Sequence, residues 1–303
     1  MQLGRDPKLN SCDSRVSEST RSCLVPSFNN STYLNWYVYL APIKASIIIP
    51  TTRKEALARC LASLEAQDEQ DFEVIPITEK GSLAKLRNQG WKKASAQIVI
   101  FIDDDTVCTP SWLSSILLAF DDPKVGGVSG PSIIREEIQG NRDLFRFKWI
   151  KRVIYDWFFC EGKALLPGYV LDSGAWTTGA CNEACQYEGE VDFLEACNQA
   201  YRKSLLTLVG GFSEDYLGVG DWSEPDLSYR IKETGHKLLF VQGAKLYHEV
   251  SQSGAYTKRI HDDSRYTNYL TFAKRHIKRR SWKFQIYLLF LRCYFMLKRM
   301  QLV

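Results

Sequence analysis

Apolar and polar positions change period in a regular order from about residue 45 onward. Ser46-Ile47-Ile48-Ile49 is a short apolar run ended by Pro50, the pattern of a buried strand. Thr52 and Glu55 stand at capping-box spacing, and Leu57, Leu61 and Leu64 follow at helical intervals. Phe72 to Ile77 predicts a second strand, Leu83 to Ala94 a helix, Gln97 to Ile102 a third strand and Pro110 to Phe120 another helix. The pattern weakens between Gly126 and Asp192, where an aromatic and basic segment runs from Leu144 to Phe159. Beyond it, Phe193 to Leu206 predicts a helix. Ser223 to Thr234 predicts a better one, with Gly235 as its stop signal, and Leu238 to Val241 a strand. Strands alternating with helices imply an α/β fold, with a mostly parallel sheet and helices on both faces.

The two ends read differently. Residues 1–30 are polar and lack periodicity, and Tyr33 to Ile43 is rich in aromatics. The expected organisation is a flexible or packing N-terminal extension over 1–43, one domain over 44–255 and a basic amphipathic helical tail over 256–303. In that tail Trp282 to Leu297 is almost apolar, with Gln285, Arg292 and Arg299 recurring every seven residues. The run is too short to span a bilayer comfortably and Arg292 interrupts it. An interfacial helix fits, with Lys274 to Arg280 against anionic headgroups. The alternative is a helix that covers the domain or a dimer interface.

Composition narrows the class. At 303 residues, 45% hydrophobic and 24% charged, the chain reads as a folded globular protein, not as a disordered or collagen-like one. A net charge of +4 does not call for a nucleic-acid partner. Its distribution says more: ten Lys and Arg and no Asp or Glu lie between Ser264 and the end, so the rest of the chain is mildly acidic. The nine cysteines are read as reduced thiols, because the first residues lack the apolar core of a signal peptide. The expected location is cytoplasmic, peripheral on the inner face of the cell membrane. Cys181 and Cys185 have no second Cys/His pair at zinc-ligand spacing and are read as structural.

The strongest chemical signal is Asp103-Asp104-Asp105, directly after a predicted strand. In open α/β sheets ligands bind beyond the carboxyl ends of strands, and a hard divalent cation would neutralise such carboxylates. A solvated acidic turn is the plainer alternative. Downstream, Ser223-Glu224-Pro225-Asp226 opens a predicted helix, with Ser223 as N-cap, Pro225 in the first turn and Asp226 completing a capping box. Acids there also suit the helix dipole. A lone histidine such as His248 is, on general grounds, a structural residue.

Five segments in order resemble family 2 glycosyltransferases with the GT-A fold. They are SIIIPTTRKEALARCLASL, LAKLRNQGWKKASAQIVIFIDDDTVCTPSWL, FLEACNQAYRKSLLTLVGGFSEDYLG, WSEPDLSYRIKETGHKLLFV and LYHE, together covering about residues 44–275. The resemblance implies a Rossmann-like GT-A fold and an inverting, metal-dependent transferase. Its donor would be a UDP-, GDP- or dTDP-linked sugar, and its acceptor hydroxyl would belong to a glycan or a lipid-linked molecule in cell-surface polysaccharide synthesis. It implies Asp103 near the ribose or the metal, Asp104 near the nucleotide-sugar and Asp105 on Mn2+ or Mg2+, with His248 completing that site as neutral imidazole. Pro50, Thr51 and Arg53 fall on the first nucleotide loop, and Arg87 is either a nucleotide contact or a surface helix residue. The second loop reads Thr78-Glu79-Lys80-Gly81-Ser82 in place of the family's D-G-S turn, leaving Glu79 as the acidic residue for the base. Glu224 falls on the catalytic carboxylate, with Asp221 as the runner-up. Trp222 is either core or a sugar-stacking platform, and Asn198 and Arg202 fix the helix and the acceptor loop. Three other classes remain: a non-catalytic nucleotide-sugar-binding module, a nucleotidyltransferase, disfavoured because PTTRKEA has no glycine, and a membrane-anchored scaffold whose tail is the functional part.

Overall fold

Strand β3 (Ala45–Pro50) is buried along its whole length, and that burial is what its run of isoleucines is for. It lies between two parallel neighbours, β4 (Phe72–Ile77) and β5 (Ile98–Ile102). The computed structural model describes residues 22–27, 35–40, 43–134, 151–177, 179–250 and 264–299. The chain divides into two compact units, 1–42 and 43–303. In the first, β1 (Ser22–Ser27) and β2 (Asn35–Leu40) form an antiparallel pair. The expectation of a flexible start otherwise falls outside the described residues.

The second unit holds three further strands of the main sheet that the sequence pattern does not show: β7 (Val125–Ser129), β9 (Gly189–Glu190) and β10 (Asn198–Arg202). With β11 (Lys237–Phe240) the order is β4-β3-β5-β10-β7-β11-β9. Five of these seven strands run parallel, while β10 and β9 are antiparallel to their neighbours. A second, three-stranded sheet has the order β6 (Thr106–Cys108), β12 (Leu246–His248), β8 (Ser132–Ile133). Helices α1 (Lys54–Glu65), α2 (Leu83–Lys93), α3 (Trp112–Ala119), α4 (Lys203–Val209) and α5 (Ser223–Glu233) flank the sheets. A π-helical turn spans Lys151–Phe159, and α6 (Ser264–His276) and α7 (Trp282–Arg299) close the described chain. The α/β, mostly parallel architecture expected from the pattern is present.

The helix predicted over Phe193 to Leu206 is the main error. Its centre is β10, which fills the antiparallel slot between β5 and β7. Tyr201 and Ala200 are wholly buried there, and pairing on both edges overrides a local helical spacing. β7 escaped notice because its glycines hide the apolar pattern. A Cβ on Gly127 would stand 2.8 Å from the Tyr201 ring and 2.9 Å from Leu194 and Leu238, so the sheet admits no side chain at that point.

Neither expected capping box forms. α1 starts at Lys54 with Arg53 as N-cap and no side-chain cap bond, and α5 starts at Ser223 with Trp222 as N-cap. At α5 the expected capping residues bond elsewhere, Ser223 to Glu224 and Asp226 to more distant partners, as described below. Cys181 and Cys185 are free thiols, as are the other described cysteines whose burial is defined. Burial pushes the Cys60 thiol up to about 11 and Cys160 to about 12.

Three buried clusters make the core. Two lie on the two faces of the sheet and contain the strand residues. The third joins Tyr155 and Phe159 of the π-helical turn with Ala175, Trp222, Tyr269, Phe284 and Tyr287. The tail helices therefore pack into the 43–303 unit by burying one face.

Candidate active site

Asp103, Asp104 and Asp105 occupy the connection from β5 to β6, at the carboxyl end of a central strand. The short sheet brings in the distant partner. β12 pairs antiparallel with β6 so that His248 faces Thr106, and the Glu249 amide donates to the Asp105 carbonyl at 2.8 Å. His248 Nε2 then lies 3.1 Å from Asp105 Oδ1, across 143 residues of chain. Ligand atoms of Asp103, Asp105 and His248 all lie within 4.8 Å of one another. Two carboxylates and an imidazole suit a divalent cation of the Mn2+ kind. Burial disfavours the charged imidazole, yet Cys197, Asp105 and Asp103 around it raise the His248 pKa. A cation held by the same carboxylates would demand the neutral ring.

Asp104 is tied elsewhere. It accepts from the Thr51 hydroxyl at 2.5 Å and from Arg53 Nε at 3.2 Å, with a second, shorter contact to Arg53 Nη2. Arg53 Nη2 also reaches Asp105 Oδ2 at 3.1 Å. The Pro50-Thr51-Thr52-Arg53 loop after β3 is thus fastened to the acidic turn after β5. Arg53 Nη1 is buried without a hydrogen-bond partner among the described residues, a donor left over at the edge of the acidic cluster. Burial opposes the Arg53 charge, but Asp104 and Asp105 outweigh it and raise its pKa.

Arg87 is neither a surface helix residue nor exposed toward a nucleotide. It is fully buried. One guanidinium joins both halves of the site: Nη1 pairs with Glu224 Oε1, and Nη2 lies 3.4 Å from Asp103 Oδ1 and donates to the Ala196 carbonyl at 2.9 Å. Glu224 Oε2 accepts from the Ser223 hydroxyl at 3.2 Å. Ser223 therefore serves Glu224 instead of capping α5.

The turn before α5 is unusual. Gly218 and Gly220 have φ of +63° and +84°, and Trp222, a bulky residue, has φ +79°. That left-handed conformation is costly for tryptophan and persists only where the surroundings hold it. Its ring is held by Trp176 at 4.7 Å, Phe272 at 4.8 Å and Tyr269 at 5.0 Å between centroids. The turn presents Asp221, Trp222 and Glu224 to a pocket of about 180 Å³, also lined by Trp176, Glu195 and Arg265. Arg265 Nε lies 3.1 Å from Asp221 Oδ2. Trp222 is core and pocket wall at once.

Asp226 does not cap the helix. It is completely buried and accepts from Ser213, Tyr216 and Arg230, with Arg275 and His276 of α6 at 3.2 Å and 3.0 Å. Glu79 stands apart, its ion-pair partner Lys93 at 3.6 Å and both about half exposed. Asn198 ties sheets together, donating to the Gly130 and Ala244 carbonyls and accepting from Trp112. Arg202 holds the Phe120, Asp122 and Val125 carbonyls. Trp176, Glu195 and Arg265 were not foreseen as site residues. The first lies in the stretch without clear periodicity, the second inside the mispredicted helix, and the third counted only as tail charge.

Residues 76–158 match the family model for glycosyl transferase family 2. No curated protein matches the chain in sequence at a significant level. Among solved structures, a mannosyltransferase, PcManGT from Pyrobaculum calidifontis in complex with GDP-Man and Mn2+, is similar with a TM-score of 0.50 and 18% identity, over 86% of this chain and 72% of that one. GalNAc-T7 with UDP, GalNAc and Mn2+ is similar with a TM-score of 0.52 and 12% identity, over 79% of this chain and 49% of the other, so the chain spans about half that protein's length. TarS 1-349 from S. aureus, in complex with UDP-GlcNAc, has a TM-score of 0.50 and 14% identity, over 79% and 68%. At such identities the likeness speaks for the fold. Residues 76–158 thus carry the match to glycosyl transferase family 2, and the chain has the GT-A fold of these solved structures.

Proposed function

We propose that the chain is an inverting, metal-dependent glycosyltransferase that moves a sugar from a UDP-, GDP- or dTDP-linked donor to an acceptor hydroxyl. The observation that carries this reading is the shared guanidinium of Arg87, which sets the candidate base Glu224 beside Asp103 of the candidate cation cluster. A donor diphosphate end and an acceptor-activating carboxylate are the two things a displacement at an anomeric carbon requires side by side. Asp103, Asp105 and His248 are the residues that would hold Mn2+ or Mg2+, which when bound offsets negative charge on a departing nucleoside diphosphate.

The chain's own groups do the rest. Pro50, Thr51 and Arg53 form the loop beside the acidic turn, and the spare Arg53 Nη1 is a donor for a phosphate oxygen. Glu79, half exposed, is the acidic group offered for the base. Glu224 takes the acceptor proton from the pocket side, once the 3.2 Å Ser223 hydroxyl bond yields Oε2. Asp221 lines the same pocket and is the runner-up, but its partner Arg265 turns it toward α6. We place the acceptor among glycans or lipid-linked molecules of cell-surface polysaccharide synthesis. The enzyme would work in the cytoplasm, peripheral to the inner face of the membrane, with no nucleic-acid partner. A binding module without transfer is the second reading, favoured only by the engagement of both Glu224 oxygens.

A donor panel tests the proposal: UDP-, GDP- and dTDP-sugars with and without Mn2+, with release of the nucleoside diphosphate as readout. Metal-dependent release from one donor is expected, abolished in Asp105→Ala and reduced about 10²–10⁴-fold in Glu224→Gln. Full turnover in Glu224→Gln would move the base elsewhere. Donor binding without turnover would favour the binding module, and failure to bind any donor with Mn2+ would end both readings.

A further inference from the structure

Helix α7 has two apolar faces, and the core uses one. Phe284, Tyr287, Leu291 and Tyr294 are buried, the first three in the cluster with Tyr155, Phe159 and Tyr269. On the other side Trp282, Ile286, Leu289, Cys293 and Met296 are exposed, at successive spacings of four and three residues. Trp282 and Leu289 are 64% and 61% accessible. The π-helical turn adjoins the start of this face, since the Phe158 ring lies 6.3 Å from that of Trp282. The same turn exposes Trp157 at 71%, together with Val153. Contiguous exposed apolar side chains on this scale mark a surface that meets something.

Charge decides between the occupants. A second copy of the chain would suit the spacing, which is that of a helix-pairing seam. Such seams are flanked by complementary charges. The flanks here carry Lys283, which pairs with Glu161 at 2.7 Å, Gln285 and Arg292, and residues 264–303 contain no Asp or Glu at all. A second tail would bring only like charge. Lys274, Arg279 and Arg280 are exposed, with Lys278, at the end of α6 and in its connection to α7, beside Trp282. Exposed cations next to tryptophan and aliphatic side chains are the chemistry of an anionic lipid interface. Among the described residues no helix is long and apolar enough to cross a membrane, so the contact is one of lying on the surface.

We infer that the outer face of α7, with the Lys278-Arg279-Arg280 connection, docks on an anionic bilayer, the helix lying in the interface with Trp282, Ile286, Leu289 and Met296 toward the acyl chains. This deepens the peripheral-membrane reading above by naming the face. It rests on the tail's packing and is tested without any donor, so a failed transfer assay leaves it standing.

The test is co-flotation of the full chain with vesicles of phosphatidylcholine alone and with 30% phosphatidylglycerol. Retention on the anionic vesicles only is expected, weakened at least about tenfold by Leu289→Glu and by the pair Arg279→Glu and Arg280→Glu. Thermal melting of each variant checks that it folds, and the exposed positions predict unchanged midpoints. Equal retention on neutral vesicles, or anionic retention untouched by Leu289→Glu, would overturn the proposal. So would a protein that ignores both vesicles and sediments as a dimer which Leu289→Glu dissociates, since that assigns the face to a second copy.

Discussion

Arg87 shows how much one side chain can determine. A fully buried guanidinium is tolerated because Glu224, Asp103 and the Ala196 carbonyl surround it. Its ring neighbour Phe212, 5.5 Å from the guanidinium carbon, packs the remaining side. Arg87→Ala should therefore cost about 3–5 kcal/mol in denaturant unfolding, because it leaves the nearly buried Glu224 without its cationic partner, with only the Ser223 hydroxyl bond remaining. Arg87→Lys keeps the charge but loses the planar fork, so it should recover only part of that loss. Equal stability of Arg87→Ala and the parent chain would show that Glu224 finds another partner.

At the scale of elements, Asp226 joins α5 to α6. Burial works against its charge, but hydrogen bonds from His276, Arg230 and Ser213 prevail and hold its carboxyl well below the usual range. A lowered folded pKa stabilises the fold above the unfolded value of about 3.9, and that contribution is lost as pH falls through it toward the folded value. Asp226→Asn should cost about 3–5 kcal/mol at pH 7. The gap between variant and parent should begin to shrink below about pH 4, where the carboxyl of the unfolded parent chain takes up a proton while the folded one stays ionised. Unfolding curves at pH 7 and pH 3.5 check this, and a gap independent of pH would deny the carboxylate its role. The same pairing helps explain why the tail is anchored: another of its charged contacts, Arg265 to Asp221, lies at the pocket rim.

At the scale of the molecule, the third core cluster makes the tail part of the 43–303 unit. Tyr287 is fully buried and meets Phe159 at 4.9 Å and Tyr269 at 5.8 Å between ring centroids. Tyr287→Ala should cost about 3–5 kcal/mol, as large-to-small core changes do. Leu289→Ala, two residues on but exposed, should stay within about 0.5 kcal/mol. A thermal melt of the pair checks it, and equal destabilisation would mean that the outer face of α7 is also covered. The contrast matters for function, since the helix that carries the exposed apolar face shares its aromatic cluster with Trp222, the wall of the pocket, through Trp176 and Tyr269.

The amino-acid sequence alone determined the elements whose local pattern and tertiary role agree. β3, β4, β5 and the helices α1, α2, α3 and α5 were legible because their apolar residues repeat at the period of the element they form, and all bury one face or both. The acidic turn and the five ordered segments made the resemblance to family 2 glycosyltransferases legible for the same reason: they are local in the chain. Tertiary structure decided what depends on distant partners. β10 is a strand because β5 and β7 leave an antiparallel slot between them, and β7 carries glycines because Tyr201, Leu194 and Leu238 occupy the space a side chain would need. His248 reaches Asp105 only through the β12–β6 pairing, and Arg87 reaches Glu224 across 137 residues. Periodicity records which way a side chain faces its own element; it holds no record of which other element will come to meet it.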